Sequence, residues 1–451
     1  MVEREESGVQ LLTPMLHAHH DTAGPASHAD GAPSAAPTDA PAAGESSIKA
    51  TVKQVGYGAS KIGLFGSICL TTNNLCGSAM TQISPMFQQA GWLFPVIIFI
   101  IISLITYMSS MYISRTIALL PGNALFKQRI EFSRLARMLF SRTGFLITVF
   151  FIVASFIANN ISNIVISSQV MDDLLMATAH KTCALVMSPA SSHPFQCVSA
   201  DSDSVVDDSP FGNSYTISLG YLIIMVISVP LSYMNLDDNI IVQVIAMVLV
   251  ILSLVVWIAN FCVLGLSSAL MPAVAAYKGR ATVNAYTSVL PTIIYNYGFV
   301  ATIPSWLNEK APTTRVRPTI WISILISTIM YIALGMFGAA ALEFTGSADL
   351  LSVIVDGKVE GIWRVSKGLV YVFPLANLVS SIPVFCVIVR YNLINTEMCP
   401  LWLANFIAIV VPWALSLVFY SGNSLNDLLN WSSALLFVAI NLVIPFALYY
   451  V

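Results

Sequence analysis

The chain has 451 residues, of which 57% are hydrophobic and only 10% charged, and its net charge is −3. A soluble globular domain carries about a quarter charged residues, so this composition excludes a soluble protein and implies a polytopic membrane protein. The near-neutral balance offers no basic surface for nucleic acid, and no nucleic-acid partner is expected.

Residues 1–50 begin with the charged MVEREESGVQ and continue as a stretch rich in Ala, Pro, Ser, Asp and His. Such a segment cannot bury enough apolar surface to offset its ordering entropy. It is predicted to be a disordered cytoplasmic tail ahead of a membrane domain over 51–451. The tail has no apolar core, so no cleavable signal peptide is expected and the first span acts as its own insertion signal.

Ten apolar segments follow, at 61–84, 92–115, 144–171, 214–234, 240–266, 284–306, 319–342, 366–389, 401–420 and 428–450. Each can span a hydrocarbon core of about 30 Å. The expected fold class is an all-α polytopic membrane protein with about ten transmembrane helices. With the N-terminus cytoplasmic, inside segments hold 14 Lys and Arg and outside segments hold 6. The positive-inside rule favours that orientation. The outside is either extracellular space or an organelle lumen, so the expected location is a plasma membrane or a vacuolar or lysosomal membrane.

The first span, KIGLFGSICLTTNNLCGSAMTQISPMFQQAGW over 61–92, is apolar at its ends and polar in the middle. Thr71, Thr72, Asn73, Asn74, Gly77, Ser78, Thr81, Gln82 and Pro85 do not suit a helix facing lipid. The sequence predicts a broken helix buried in protein or lining a watery cavity.

The loop 121–143 contains KQRIEFSRLARMLFSR. Ile130, Leu135, Met138 and Leu139 share one helical face, which predicts a basic amphipathic helix on the cytoplasmic surface. In the third span, Asn159 and Asn163 are one turn apart, as are Asn160 and Asn163. Amides there usually bond neighbouring helices. The long loop 172–213 carries Asp172, Asp173, Asp201, Asp203, Asp207 and Asp208 and reads as a solvated acidic loop. Cys183 and Cys197 in it can pair if that side is oxidising, or stay as thiols.

The sixth span is interrupted as well, with Pro291, then Tyr295, Asn296, Tyr297, Gly298 and Phe299, then Pro304. Two Gly/Pro-interrupted spans at matching positions point to a 5+5 inverted repeat with broken helices 1 and 6, and to a binding site where the breaks meet. The two five-helix repeats are expected over 61–266 and 284–450.

The first break, GSAMTQISPMFQQAGW, and the end of the sixth span, YNYGFVATIPSWLNEKAP, resemble signatures of the amino acid/auxin permease family. The likeness extends to the spacing of the spans over about 55–451. The family turn more often has two glycines, whereas Gly77 is followed here by Ser78 and Ala79, and the family proline falls at Ser84. The family usually has an eleventh helix, and the given chain stops as the tenth span ends. The resemblance implies an inverted-repeat permease: a secondary active transporter moving amino acids by alternating access, coupled to H⁺ or Na⁺. The alternative is an amino acid sensor that binds substrate and signals with little transport.

The spans carry almost no charge, so a zwitterion at mid-membrane must be met by dipoles. The half-helix beginning at 77–79 presents N–H groups suited to a carboxylate. Carbonyls over 73–75 and 295–298 can accept from an ammonium group. The expected substrate residues are Asn73, Leu75, Gly77, Ser78, Ala79, Thr81, Tyr295, Tyr297, Gly298 and Phe299. Sodium-coupled relatives take ion ligands from an Asn of the first helix and a hydroxyl residue of the eighth. The resemblance transfers these to Asn73, Ser380 and Ser381 as a candidate Na⁺ site; hard cations take oxygen ligands. No other cofactor is expected. The chain shows no phosphate-binding loop, paired intramembrane carboxylates or His/Cys metal set, which argues against an ATP-driven pump and against an enzyme. Expected partners are an amino acid and membrane lipids.

Overall fold

The computed structural model describes residues 61–451, apart from 124, 127, 188–194, 200–215, 275–285, 345–348, 356–358, 397 and 421–423. The tail expected over 1–50 lies outside the described residues.

The first span forms α1 (Leu64–Leu75), a 3-10 turn (Ser78–Gln82) and α2 (Ile83–Ala90). Gly91 then adopts a φ of 78°. A Cβ at Gly91 would stand 2.8 Å from the Ala273 carbonyl oxygen. The next two N–H groups, of Trp92 and Leu93, donate to Pro272 O and Ala273 O at 3.1 Å each. The Ala-Gly-Trp sequence is thus a turn that seats the chain edge-on against a distant loop, and only glycine fits its middle.

There follow α3 (Leu93–Leu119), α4 (Phe132–Leu139) and α5 (Arg142–Ala179). Three strands come next: β1 (Lys181–Val186), β2 (Phe195–Ser199) and β3 (Thr216–Ser218). After α6 (Leu219–Tyr233) and α7 (Ile240–Leu264), the sixth span gives α8 (Val289–Asn296), a 3-10 turn (Val300–Thr302) and α9 (Ile303–Glu309). The chain continues with α10 (Val316–Ala341), α11 (Leu350–Val355) and α12 (Arg364–Asn395). The ninth segment is α13 (Leu401–Asn405) and α14 (Val411–Ser416), joined by a π-turn. The last is α15 (Ser424–Trp431) and α16 (Ile444–Tyr450), joined by two π-turns.

Among the described residues, six helices are long and apolar enough to cross a membrane. The fourth and ninth segments are shorter apolar helices, Leu219–Tyr233 and Leu401–Ser416. The first and sixth are each split in two. Helix α12 packs along α5 and α7, and α10 along α1 and α2. The last contact depends on missing side chains: a Cβ at Gly335 would stand 2.7 Å from the Phe87 ring, and one at Gly338 would overlap Ser84. Close backbone approach through small residues is how helices associate without a hydrophobic drive. The approach lets Ser84 Oγ donate to Leu334 O at 2.9 Å.

The structure corrects three expectations. The fold is mostly helical but not all-α, because the long loop contains a sheet of order β2-β1-β3. Cys183 and Cys197 stand opposite each other in its register and form a disulfide. Asp172 is not part of a solvated loop. It lies in the last turns of α5, fully buried, and accepts from Thr182 Oγ1 at 2.8 Å, the Gly220 N–H at 2.9 Å and the Tyr420 hydroxyl at 2.8 Å. Helix α4 does not lie free on a surface: Ile130, Phe132, Leu135 and Ala136 are wholly buried in protein. Its flanks are tied to two helices. Ser133 N–H donates to Asn392 Oδ1 at 2.9 Å, while Glu131 accepts from Ser305 Oγ at 2.6 Å and Asn308 Nδ2 at 2.7 Å. An amphipathic pattern marks an apolar face but does not say whether lipid or protein covers it.

Candidate functional site at the two helix breaks

Helix α1 ends because its last residues lose the regular ladder. Cys76 N–H still reaches Thr72 O at 3.0 Å, but Gly77 N–H turns back to Leu75 O at 2.8 Å. Gly77 is extended, with φ −81° and ψ 177°. That conformation is open to any residue, so no backbone strain demands glycine here, and a methyl fits at ordinary contact distance. A Cβ would meet the Tyr295 ring at 3.5 Å.

The carbonyls released by this break are taken up by other helices. Asn377 Nδ2 of α12 donates to Cys76 O at 2.5 Å. The Tyr331 hydroxyl of α10 faces both Leu75 O and, at 3.2 Å, Asn296 O of the second break. One hydroxyl of α10 therefore spans both breaks. This satisfies backbone groups that lipid would leave unpaired.

The second break is filled rather than open. Gly298 N–H donates to Tyr295 O at 3.1 Å, and Phe299 N–H to Tyr297 O at 2.9 Å. A Cβ at Gly298 would overlap the Phe437 ring, whose centroid is 4.8 Å from that of Tyr295.

A small cavity of about 10 Å³ lies beside the first break, lined by Asn73, Asn74, Gly77, Asn163, Tyr295 and Ser381 among others. That is room for about one water molecule. Three of its walls carry buried amide oxygens without a hydrogen-bond partner among the described residues: Asn73 Oδ1, Asn74 Oδ1 and Asn163 Oδ1. The Asn73 Nδ2 group donates to Gln243 O at 2.7 Å and Gln243 Oε1 at 3.0 Å. That pairing turns its carbonyl oxygen away from Gln243. Buried acceptors without donors are costly, so a cation or an N–H group entering here meets a prepared surface.

Of the residues expected from the sequence, Asn73, Gly77, Tyr295 and Ser381 line this cavity. Ser78 stands behind it, its hydroxyl 2.9 Å from Ser162 Oγ and 3.4 Å from the Tyr295 hydroxyl, which donates to Asn159 Oδ1 at 3.0 Å. Leu75 contributes its carbonyl to Tyr331. Ala79 is buried, and Thr81 is half-buried with its hydroxyl on Ser78 O at 3.4 Å. Tyr297 points to Thr328 Oγ1 at 2.5 Å, and Phe299 is fully buried. Ser380 and Ser381 both donate to Asn377 O at 2.9 Å. Ser380 does not line the cavity, and its carbonyl accepts from Gln243 Nε2 at 2.7 Å.

Tyr331, Gln243, Asn377 and Phe437 also reach the breaks, and none of them is among the residues expected from the sequence. The polar groups left a signal: Gln243 and Asn377 are amides inside otherwise apolar spans, and such residues mark interhelix bonds or pathways. Phe437 left none, because an aromatic in a membrane helix is ordinary.

The family profile described as transmembrane amino acid transporter protein matches residues 60–451. A search of curated proteins gives no match. Among solved structures, a nucleobase-cation-symport-1 family transporter, in a closed conformation with bromovinylhydantoin bound, is similar with a TM-score of 0.57. It has 14% identity, over 86% of this chain and 81% of that one. An Eremococcus coleocola manganese transporter, in complex with an aromatic bis-isothiourea substituted compound, is similar with a TM-score of 0.53 and 14% identity. The match covers 86% of this chain and 78% of that one. At this identity the likeness is one of fold.

Proposed function

We propose, from the premise that the chain belongs to the transmembrane amino acid transporter family, that it moves amino acids by alternating access between the helices of the two breaks and the helices around them. Membrane transport is the activity of the family; the mechanism and the ion are our reading. It takes the ten segments as two inverted five-helix repeats, with the N-terminus cytoplasmic as the loop charges favour. The observation that carries it is the meeting of two interrupted helices at one polar cavity, the arrangement expected of a midplane substrate site.

The N–H groups that open the Ser78–Gln82 turn would take the substrate carboxylate. The ammonium group would be met by the amide oxygens of Asn73, Asn74 and Asn163. Main-chain carbonyls are less suited, because Leu75 O, Cys76 O and Asn296 O already accept from Tyr331 or Asn377. A cavity of about 10 Å³ does not admit an amino acid, so substrate enters only when the broken helices move apart. Coupling by Na⁺ would use Asn73 Oδ1 and Ser381 Oγ, with Ser380 behind. Coupling by H⁺ is the other reading.

Uptake of a panel of labelled amino acids into liposomes holding the purified full-length protein tests this, with and without a sodium gradient and at two pH values. Accumulation supports transport, and its dependence on sodium or pH names the ion. Binding without accumulation supports the sensor reading instead.

A further inference from the structure

A second concave site lies away from the breaks, where α9 ends and α10 begins. It is a groove of about 490 Å³ lined by Leu125, Phe126 and residues of the 310–318 stretch, among them Lys310, Arg315 and Arg317. Three cations thus face one groove, and no acidic side chain lines it among the described residues.

Lys310 is the unusual member. It is only 7% exposed. Its amine donates to Thr314 O at 3.1 Å and lies 5.2 Å from the centroid of the Phe126 ring. No carboxylate answers it among the described residues. Burial pushes its pKa down from the ordinary lysine value. A buried ammonium without a counter-ion is expensive, and an anion in the groove would relieve that cost. Arg315 and Arg317 are exposed at the rim. The first turn of α10 adds N–H groups of Val316 and Arg317 that have no partner within the helix.

Aromatic side chains of the kind that gather at a membrane interface stand beside the groove. Arg317 Nε donates to the Tyr107 hydroxyl at 3.3 Å, and the Tyr107 ring packs edge-on against Trp321, 5.3 Å between centroids. Leu119, Leu125 and Trp321 are exposed apolar side chains around the same end, suited to acyl chains rather than to water. Basic pockets between membrane helices hold anionic headgroups in this way.

We propose that this groove binds the phosphate headgroup of an anionic membrane lipid, with Lys310 at its floor and Arg315 and Arg317 at its rim. The site also touches the broken helices whose movement is proposed above. Ile62, just before α1, bridges to Lys310 in parallel fashion, with Ile62 N–H on Glu309 O at 3.2 Å and Ala311 N–H on Ile62 O at 2.9 Å. A bound lipid would therefore hold the entry of α1 and the exit of α9 together.

The test uses the full chain in phosphatidylcholine vesicles, doped in turn with a photoactivatable phosphatidylinositol phosphate or with photoactivatable phosphatidylcholine. Expected is labelling of the peptides around 125 and 310–318 by the anionic probe alone. Arg315→Gln and Arg317→Gln should each weaken it about fivefold. Both side chains are exposed, and an unchanged thermal midpoint in phosphatidylcholine alone shows that each variant is folded. Lys310→Gln, read the same way, should lower labelling further. The proposal is overturned by labelling that maps elsewhere, by variants that label as the parent does, or by equal labelling with the neutral probe. It is also overturned if inorganic phosphate displaces the lipid probe fully, because the groove would then be a site for a free anion. Since the readout is lipid binding, it stands apart from whether the protein transports amino acids.

Discussion

The side-chain amide of Asn377 donates to the carbonyl of Cys76 at 2.5 Å, joining the middle of α12 to the break in the first span. This bond replaces the ladder partner that Cys76 O loses where α1 ends. Asn377→Leu keeps the volume and removes the donor. A buried carbonyl then goes unpaired, at a cost of about 1–3 kcal/mol. The expected result is a lower thermal midpoint and a larger loss of uptake, because the break is displaced as well as weakened. Asn377→Gln, which keeps an amide, should recover part of the stability. If Asn377→Leu melts and transports like the parent, the bond does not hold the break.

Gly77 is free of backbone strain, so its substitution tests space alone. Gly77→Ala brings a methyl to ordinary contact with the Tyr295 ring, at 3.5 Å, and should leave stability within about 0.5 kcal/mol. Gly77→Val fills the cavity beside Asn73 and Asn163. Expected is a protein that melts near the parent temperature and takes up no substrate. Retained uptake by Gly77→Val would place the substrate elsewhere.

Most of the frame is legible in the chain because membrane spans are long, apolar and bounded by charge. The breaks are legible because Thr71, Asn73, Gly77 and Pro85 contradict a lipid-facing helix. What fills the breaks is not legible. Tyr331 and Phe437 reach them from far along the chain, and neither looks different in sequence from an aromatic that merely packs. The same holds for α4, whose pattern fits a lipid surface and a protein groove equally. In sequence Asp172 looks like Asp173 and the acidic loop beyond it, since nothing in a run of aspartates marks the one that is buried.

Asp172 gives a separate test on the side of the sheet. Its carboxylate is the shared acceptor for β1, the N-terminus of α6 and the Tyr420 hydroxyl, which also lies 2.8 Å from Ser218 Oγ. Asp172→Ala leaves three buried donors without their acceptor. The expected cost is at least the 1.5–3 kcal/mol or so of a hydrogen bond to a charged group. Circular dichroism melts of Asp172→Ala and of the parent should separate the two, with the variant melting well below the parent. Equal melting would show that the buried network adds no stability.

Gly298 and Phe437 make the last test, since the missing side chain of one is the space taken by the ring of the other. Gly298→Ala forces the Phe437 ring to move, and Tyr295 with it, because the two rings are in contact. Overpacking of this kind costs about 1–3 kcal/mol. Phe437→Ala opens a hole and costs about 3–5 kcal/mol by itself. In the double variant the new methyl enters the space left by the ring, so the two costs should fall short of adding, by about 0.5–3 kcal/mol. Thermal or denaturant midpoints for the parent, both single variants and the double variant close the cycle. Strict additivity would mean that Gly298 and Phe437 do not share space. Coupling in stability joined to a recovery of uptake would place the ring at the edge of the substrate path, whereas coupling without recovery would confine it to packing.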